Sequence, residues 1–111
     1  MKYKTSELEG ALLDAAVAKA EGLKYITDPS FSNPDLPGSV WLTQEKPYAP
    51  SAVWRQGGPI IEIERISVKD DIHSGWHSYT RNGVEGHGPT PLIAAMRAYV
   101  ASKFGEEVEL P

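Results

Sequence analysis

A chain of 111 residues, 41% apolar and 23% charged, has the makings of one globular domain rather than a disordered, fibrous or membrane-embedded polypeptide. No apolar run approaches the roughly 18 residues of a membrane span, the first residues lack the apolar core of a signal peptide, and the absence of cysteine excludes disulfides, thiol catalysis and cysteine-bound zinc or iron–sulfur centres. The net charge of −4, with no basic segment anywhere, argues against a surface for polyanions.

The first helix is expected over residues 6–21. Ser6 and Glu9 have capping-box spacing, Leu8, Leu12, Ala15 and Ala16 follow the helical period, and Gly22 suits a left-handed stop. Gly10 is the blemish, costing about 1 kcal/mol against alanine. From Thr27 to about Pro50 no periodicity survives. Six of the nine prolines (29, 34, 37, 47, 50 and 59) fall between 27 and 59, so residues 27–50 are read as an irregular excursion with Phe31, Val40, Trp41, Leu42 and Tyr48 as anchors. Loops this long in a compact domain are usually functional or mobile. Either the excursion presents its aromatics to a partner, or it is a lid tied down by Trp41.

Residues 51–68 read ambiguously, and a kinked helix ending at Arg65 is expected within them. Ser51 caps a short piece through Gln56, Gly57-Gly58 breaks it, and Pro59 starts a second piece through Arg65; the alternation of Ile61-Glu62-Ile63-Glu64 leaves a strand open for 59–65. Strands follow at 66–69, 76–81 and 84–87. Asn82-Gly83 has the composition of a two-residue type I′ hairpin. Thr90 then caps and Pro91 opens a last helix whose face is Leu92, Ile93, Met96, Tyr99, Val100 and Phe104, with Gly105 as its stop and an acidic tail expected to be solvated and frayed. The whole is an α+β fold, one domain over 1–111, with a three-stranded antiparallel meander covered by helices. Trp54, Trp76, Leu12, Ile93 and Met96 are expected to share its core.

Two segments carry a family pattern: Trp54-Arg55-Gln56-Gly57-Gly58-Pro59-Ile60-Ile61-Glu62 and Gly88-Pro89-Thr90-Pro91-Leu92-Ile93-Ala94-Ala95-Met96-Arg97-Ala98-Tyr99-Val100-Ala101-Ser102. With Lys4-Thr5-Ser6-Glu7-Leu8 and Trp76, they resemble the phage and prophage family that includes the lambdoid NinX protein. That family is of unknown function. The resemblance implies a phage or prophage origin and a bacterial cytoplasm, and it transfers no catalytic residue.

The chemistry-bearing candidates are few. His73 and His77 lie four apart on extended chain, about 13 Å, too far for one zinc ion with ligands about 2 Å away. Only a tight turn at 74–75, with His87 arriving from the neighbouring strand and Asp70 or Asp71 nearby, would assemble a metal site. The expectation is that none forms. No Gly-x-Ser-x-Gly elbow or phosphate loop is present, and Glu62 and Glu64 read as a solvated face. No catalytic, cofactor-binding or metal residue is therefore assigned, no cofactor is expected, and the chain is read as a non-enzyme. The leading expectation is a small binding protein acting on a host or phage protein, with no nucleic-acid or membrane partner, through the excursion (Phe31, Trp41, Tyr48) or a sheet face bearing His77, Tyr79 and Arg81. A self-associating dimer fits the same signals. The alternatives are a nucleic-acid-binding module with the helix–meander–helix order of double-stranded-RNA-binding domains, and a small metal-dependent enzyme using His73, His77 and His87.

Overall fold

The computed structural model describes residues 2–24, 26–27, 40–43, 46–73 and 75–110, with 26–27, 40–43 and 46–47 described by their backbone. Its centre is the helix α3 (Pro91–Phe104). The Thr90 hydroxyl accepts the Ile93 N–H at 3.1 Å, Pro91 opens the first turn, and Gly105 (φ 82°) ends the helix. Leu92, Ala94, Ala95, Met96, Ala98, Tyr99 and Val100 are all buried, more than one helical stripe can hold, because α3 is covered on two sides. On one side lies the antiparallel sheet of β5 (Ser67–Asp71), β6 (Gly75–Tyr79) and β7 (Glu85–Gly88), in that order. On the other lie α1 (Gly10–Ala20) and α2 (Trp54–Glu64). The α+β architecture read from the sequence is the one observed.

Small residues bring the sheet close to α3. A methyl group on Gly86 would collide with the Ala94 carbonyl oxygen and lie 2.6 Å from the Ala98 nitrogen. Ser78, fully buried beside Gly86, donates its hydroxyl to that same Ala94 oxygen at 2.6 Å. The helices are tied by polar bridges as well as packing. The Tyr99 hydroxyl donates to Glu21 at 2.9 Å, and burial with this carboxylate neighbour pushes the phenol's pKa up. Arg97 donates to the carbonyls of Leu8 (2.7 Å) and His87 (2.8 Å), joining the N-terminal turn to β7.

Several expectations require correction. α1 begins at Gly10, not Ser6: residues Thr5–Glu7 form a 3₁₀ turn, Leu8 and Glu9 are extended, and no side chain caps the helix. Gly10 is the corner where the chain enters α1 at φ 57°, so the supposed blemish is a requirement of the turn. The buried residues of the helix also differ from the expected stripe. Leu13 to Ala18 are buried consecutively, while Leu12 is 40% exposed. The other end is as expected: Leu23 N–H bonds to Ala18 O (2.9 Å) and Gly22 N–H to Lys19 O (3.1 Å), the paired bonds of a Schellman stop.

α2 runs unbroken through Gly57, Gly58 and Pro59 as a helix, which also resolves the helix-or-strand alternative at 59–65. Gly57 does not break it; it lets α2 pack against the Pro50 carbonyl and within 2.7 Å (measured from an added Cβ) of Leu92. The 27–50 excursion holds a small antiparallel sheet of β2 (Ile26–Thr27), β3 (Val40–Thr43) and β4 (Lys46–Pro47). Pro47 is tolerated because β4 is an edge strand. Phe31 and the Trp41 side chain lie outside the described residues, so the choice between recognition surface and lid falls there too. Tyr48, however, is buried in the core rather than presented outward.

The tail is not frayed. β8 (Glu107–Glu109) pairs antiparallel with β1 (Lys2–Lys4), setting Lys2 opposite Glu109 and Lys4 opposite Glu107. Val108 and Leu110, 3% and 1% exposed, enter the core. Of the five residues expected there, Met96 is fully buried and Ile93 packs against the core; Trp76 is half-buried, and Leu12 and Trp54 are exposed.

Candidate functional site

Trp54 stands at the start of α2 and is 56% exposed. It overlooks a groove of ≈ 320 Å³ whose walls are Ser51 and Ala52 on one side and Thr90, Pro91, Leu92 and Ile93 on the other. The first wall is braced. The Ala49 carbonyl accepts the N–H groups of Ala52 (3.0 Å) and Val53 (2.8 Å), the Gln56 side-chain oxygen accepts Ala49 N–H (2.6 Å), and buried Asp14 accepts Ser51 N–H (2.9 Å). The second wall is the capped first turn of α3. Trp54 and the second wall belong to the two segments that carry the family pattern, and Ser51 and Ala52 lie just before the first of them.

The outer face of the β5–β7 sheet carries the histidines. In the observed register Lys69, His77 and His87 form one row across the sheet, and Ser67, Tyr79 and Glu85 the adjacent row. Side chains alternate, so all six point away from α3. The His77 and His87 rings stack at 4.1 Å and 18°. The Tyr79 hydroxyl lies 3.2 Å from His77 Nδ1, and the Lys69 ammonium sits over the Tyr79 ring. His77 Nε2 is buried without a hydrogen-bond partner and faces Glu85 Oε1 at 3.6 Å.

This arrangement changes the expected grouping. His77 and His87 come together, and so do His77 and Tyr79, but His73 does not join them. It lies exposed in the β5–β6 turn, its backbone N–H held by the Asp71 carboxylate at 3.0 Å. Asp70 pairs with Trp76 on the alternate positions of the sheet, away from His77. Arg81 belongs to the hairpin loop. Glu85, which the sequence reading passed over, takes the third place: one donor atom from each of His77, Glu85 and His87 lies within 4.8 Å of the others.

That grouping depends on the hairpin. Its loop has three residues, Arg81-Asn82-Gly83, not two. Gly83 N–H bonds to Thr80 O, Thr80 N–H to Val84 O, and only Gly83 (φ 82°) has positive φ. A two-residue loop would set His87 opposite Ser78 and send it to the α3 side, since a slip of one residue reverses every side chain.

Comparison with known sequences adds the family. Residues 4–103 match the family described as Bacteriophage P22, NinX. No curated protein is similar enough to the chain to count as a match.

Proposed function

The chain belongs to the phage NinX family, whose function is unknown, and on that premise we propose that it is a small non-enzymatic binding protein that acts on a host or phage protein through the Trp54 groove. The observation that carries this reading is the exposure of Trp54 over a braced, largely apolar groove. An indole left 56% in water beside a groove offers a partner a large, rigid apolar contact. At interfaces, tryptophans seated beside pockets are the residues whose loss most often costs 2 kcal/mol or more. Among the described residues no helix is long and apolar enough to cross a membrane.

Capture of tagged protein from phage-infected bacteria, run in parallel with Trp54→Ala, tests the reading. The parent should retain a partner in near-equal amount, and the variant should bind that purified partner roughly 30-fold more weakly, the equivalent of about 2 kcal/mol. The variant's unfolding midpoint should stay close to the parent's. Equal retention by both proteins would refute the role of the groove.

One observation favours a nucleic-acid reading: α2, β5–β7 and α3 follow one another in the order of double-stranded-RNA-binding domains. The cations speak against it. Arg97, one of two on α3, is committed to backbone carbonyls, and Lys19 donates to the Glu109 carbonyl at 2.6 Å. Duplex RNA should therefore show no mobility shift even at low salt, where phosphate attraction is strongest.

A further inference from the structure

We propose that His77, Glu85 and His87 form a binding site for a borderline first-row divalent cation, with Zn²⁺ as the reference ion, on the outer face of the β5–β7 sheet. The proposal is independent of the Trp54 groove and rests on different residues.

The donor set is two imidazoles and one carboxylate, a combination that suits zinc and its neighbours and not magnesium or calcium, which take all-oxygen shells. The three donors come from adjacent strands of one hydrogen-bonded sheet, so their backbone positions are fixed before any ion arrives. Their donor atoms already lie within 4.8 Å of one another. Ligand bonds of about 2.0–2.2 Å in a tetrahedron require donor separations of roughly 3.3 Å, so the cluster must close by about 1–1.5 Å. His77, whose side chain is only 14% exposed, is the fixed point. Glu85, whose side chain is 57% exposed, and His87, also exposed, are free to move towards it. The His87 ring must also tilt out of the stack, because two nearly parallel rings cannot aim both in-plane lone pairs at one ion.

The state of His77 points the same way. Its Nδ1 is positioned by Tyr79, as the second nitrogen of a metal-bound histidine is usually positioned by a polar neighbour. Its Nε2 is buried with no hydrogen-bond partner. If Nδ1 carries the proton and donates to Tyr79, Nε2 presents a bare lone pair towards a carboxylate oxygen 3.6 Å away, an unfavourable contact that a cation between them would reverse. If Nε2 carries the proton, a buried N–H lacks an acceptor at hydrogen-bond distance. A bound ion removes both difficulties and leaves a fourth position for water or a partner's side chain.

The rival account is a plain His77–Glu85 ion pair with no affinity for metals. Calorimetric titration of the full chain with ZnCl₂ near pH 7.5, repeated with His87→Ala, Glu85→Gln and His73→Ala, separates the two. The substituted side chains are exposed, so these variants should fold. The parent should take up one ion with a dissociation constant tighter than about 100 μM, on the order of 5 kcal/mol or more. His87→Ala and Glu85→Gln should each weaken it at least tenfold, and His73→Ala should leave it unchanged. In nuclear magnetic resonance spectra zinc should displace the His77 and His87 ring signals together, as the stack opens, and spare His73. Binding weaker than about 100 μM, binding indifferent to His87→Ala, or binding lost with His73→Ala would each overturn the proposal.

Discussion

Replacing Asp14 with asparagine should stabilise the protein at neutral pH and erase a defined part of its pH dependence. Asp14 lies in the buried run of α1, where its compensation comes from Ser51, whose backbone N–H donates to it at 2.9 Å. Burial outweighs these bonds and lifts its carboxyl from 3.8 to about 6. Between those values the folded protein keeps a proton that the unfolded chain releases, so this group makes folding less favourable as pH rises. The gap of roughly 2 pH units, at about 1.4 kcal/mol per unit, amounts to some 3 kcal/mol above pH 6. Asparagine keeps the oxygen that accepts Ser51 N–H and carries no charge, although it loses the extra strength of a charged acceptor. The expected gain is therefore about 1–3 kcal/mol at pH 7.5, shrinking towards zero near pH 4. Urea unfolding of both proteins between pH 4 and 7.5 measures it, and the difference between the two curves cancels the titration of other carboxylates. Parallel curves over that range would refute the buried-carboxylate argument.

Gly86→Ala should cost more than about 2 kcal/mol, because the added methyl meets the backbone of Ala94 and Ala98, which cannot rotate aside as a side chain could; denaturant unfolding within 0.5 kcal/mol of the parent would show that α3 lifts off the sheet freely. Ending the chain after Glu106 removes Val108 and Leu110 from the core, a loss of roughly 3–6 kcal/mol at the usual value of a buried aliphatic side chain. The melting temperature should fall by at least about 10 °C, and a fall under about 3 °C would mean that β8 is an ornament.

The legible parts of the fold were those whose signals are local. Thr90-Pro91 with Gly105 delimits α3 because cap, first-turn proline and a positive-φ glycine stop all act within a turn of helix. The Ser6–Glu9 pattern misled because nothing local distinguishes a capping box from a 3₁₀ turn whose Thr5 bonds to Gly105 and Glu106 across the molecule. The β1–β8 pair had a readable signature: Lys-Tyr-Lys against Glu-Val-Glu alternates apolar and charged residues with opposite signs at facing positions. Trp54 was expected in the core, whereas the packing of Gly57 against Pro50 and Leu92 turns that side of α2 inward. The histidine cluster was hidden by a single residue. Asn82-Gly83 suits both a two-residue and a three-residue loop, and the Thr80 hydroxyl, which accepts Val84 N–H at 3.1 Å, is part of what favours the longer one.

The pairing of β1 with β8 joins points 100 residues apart in the chain, as the Thr5–Gly105 hydrogen bond marks. Closing a loop of that length in an otherwise unfolded chain removes on the order of 4 kcal/mol of chain entropy, a cost that falls once the structure between the ends has formed. The two ends should therefore come together late, after α3 and the meander exist to receive Val108 and Leu110. Once closed, the ends lie side by side, the geometry in which circular permutation is tolerated: a short linker from Leu110 to Lys2 would make that closure permanent. The same geometry means that any polypeptide attached before Lys2 or beyond Leu110 leaves the molecule from one edge. A fusion at either end would be tethered to the same spot on its surface.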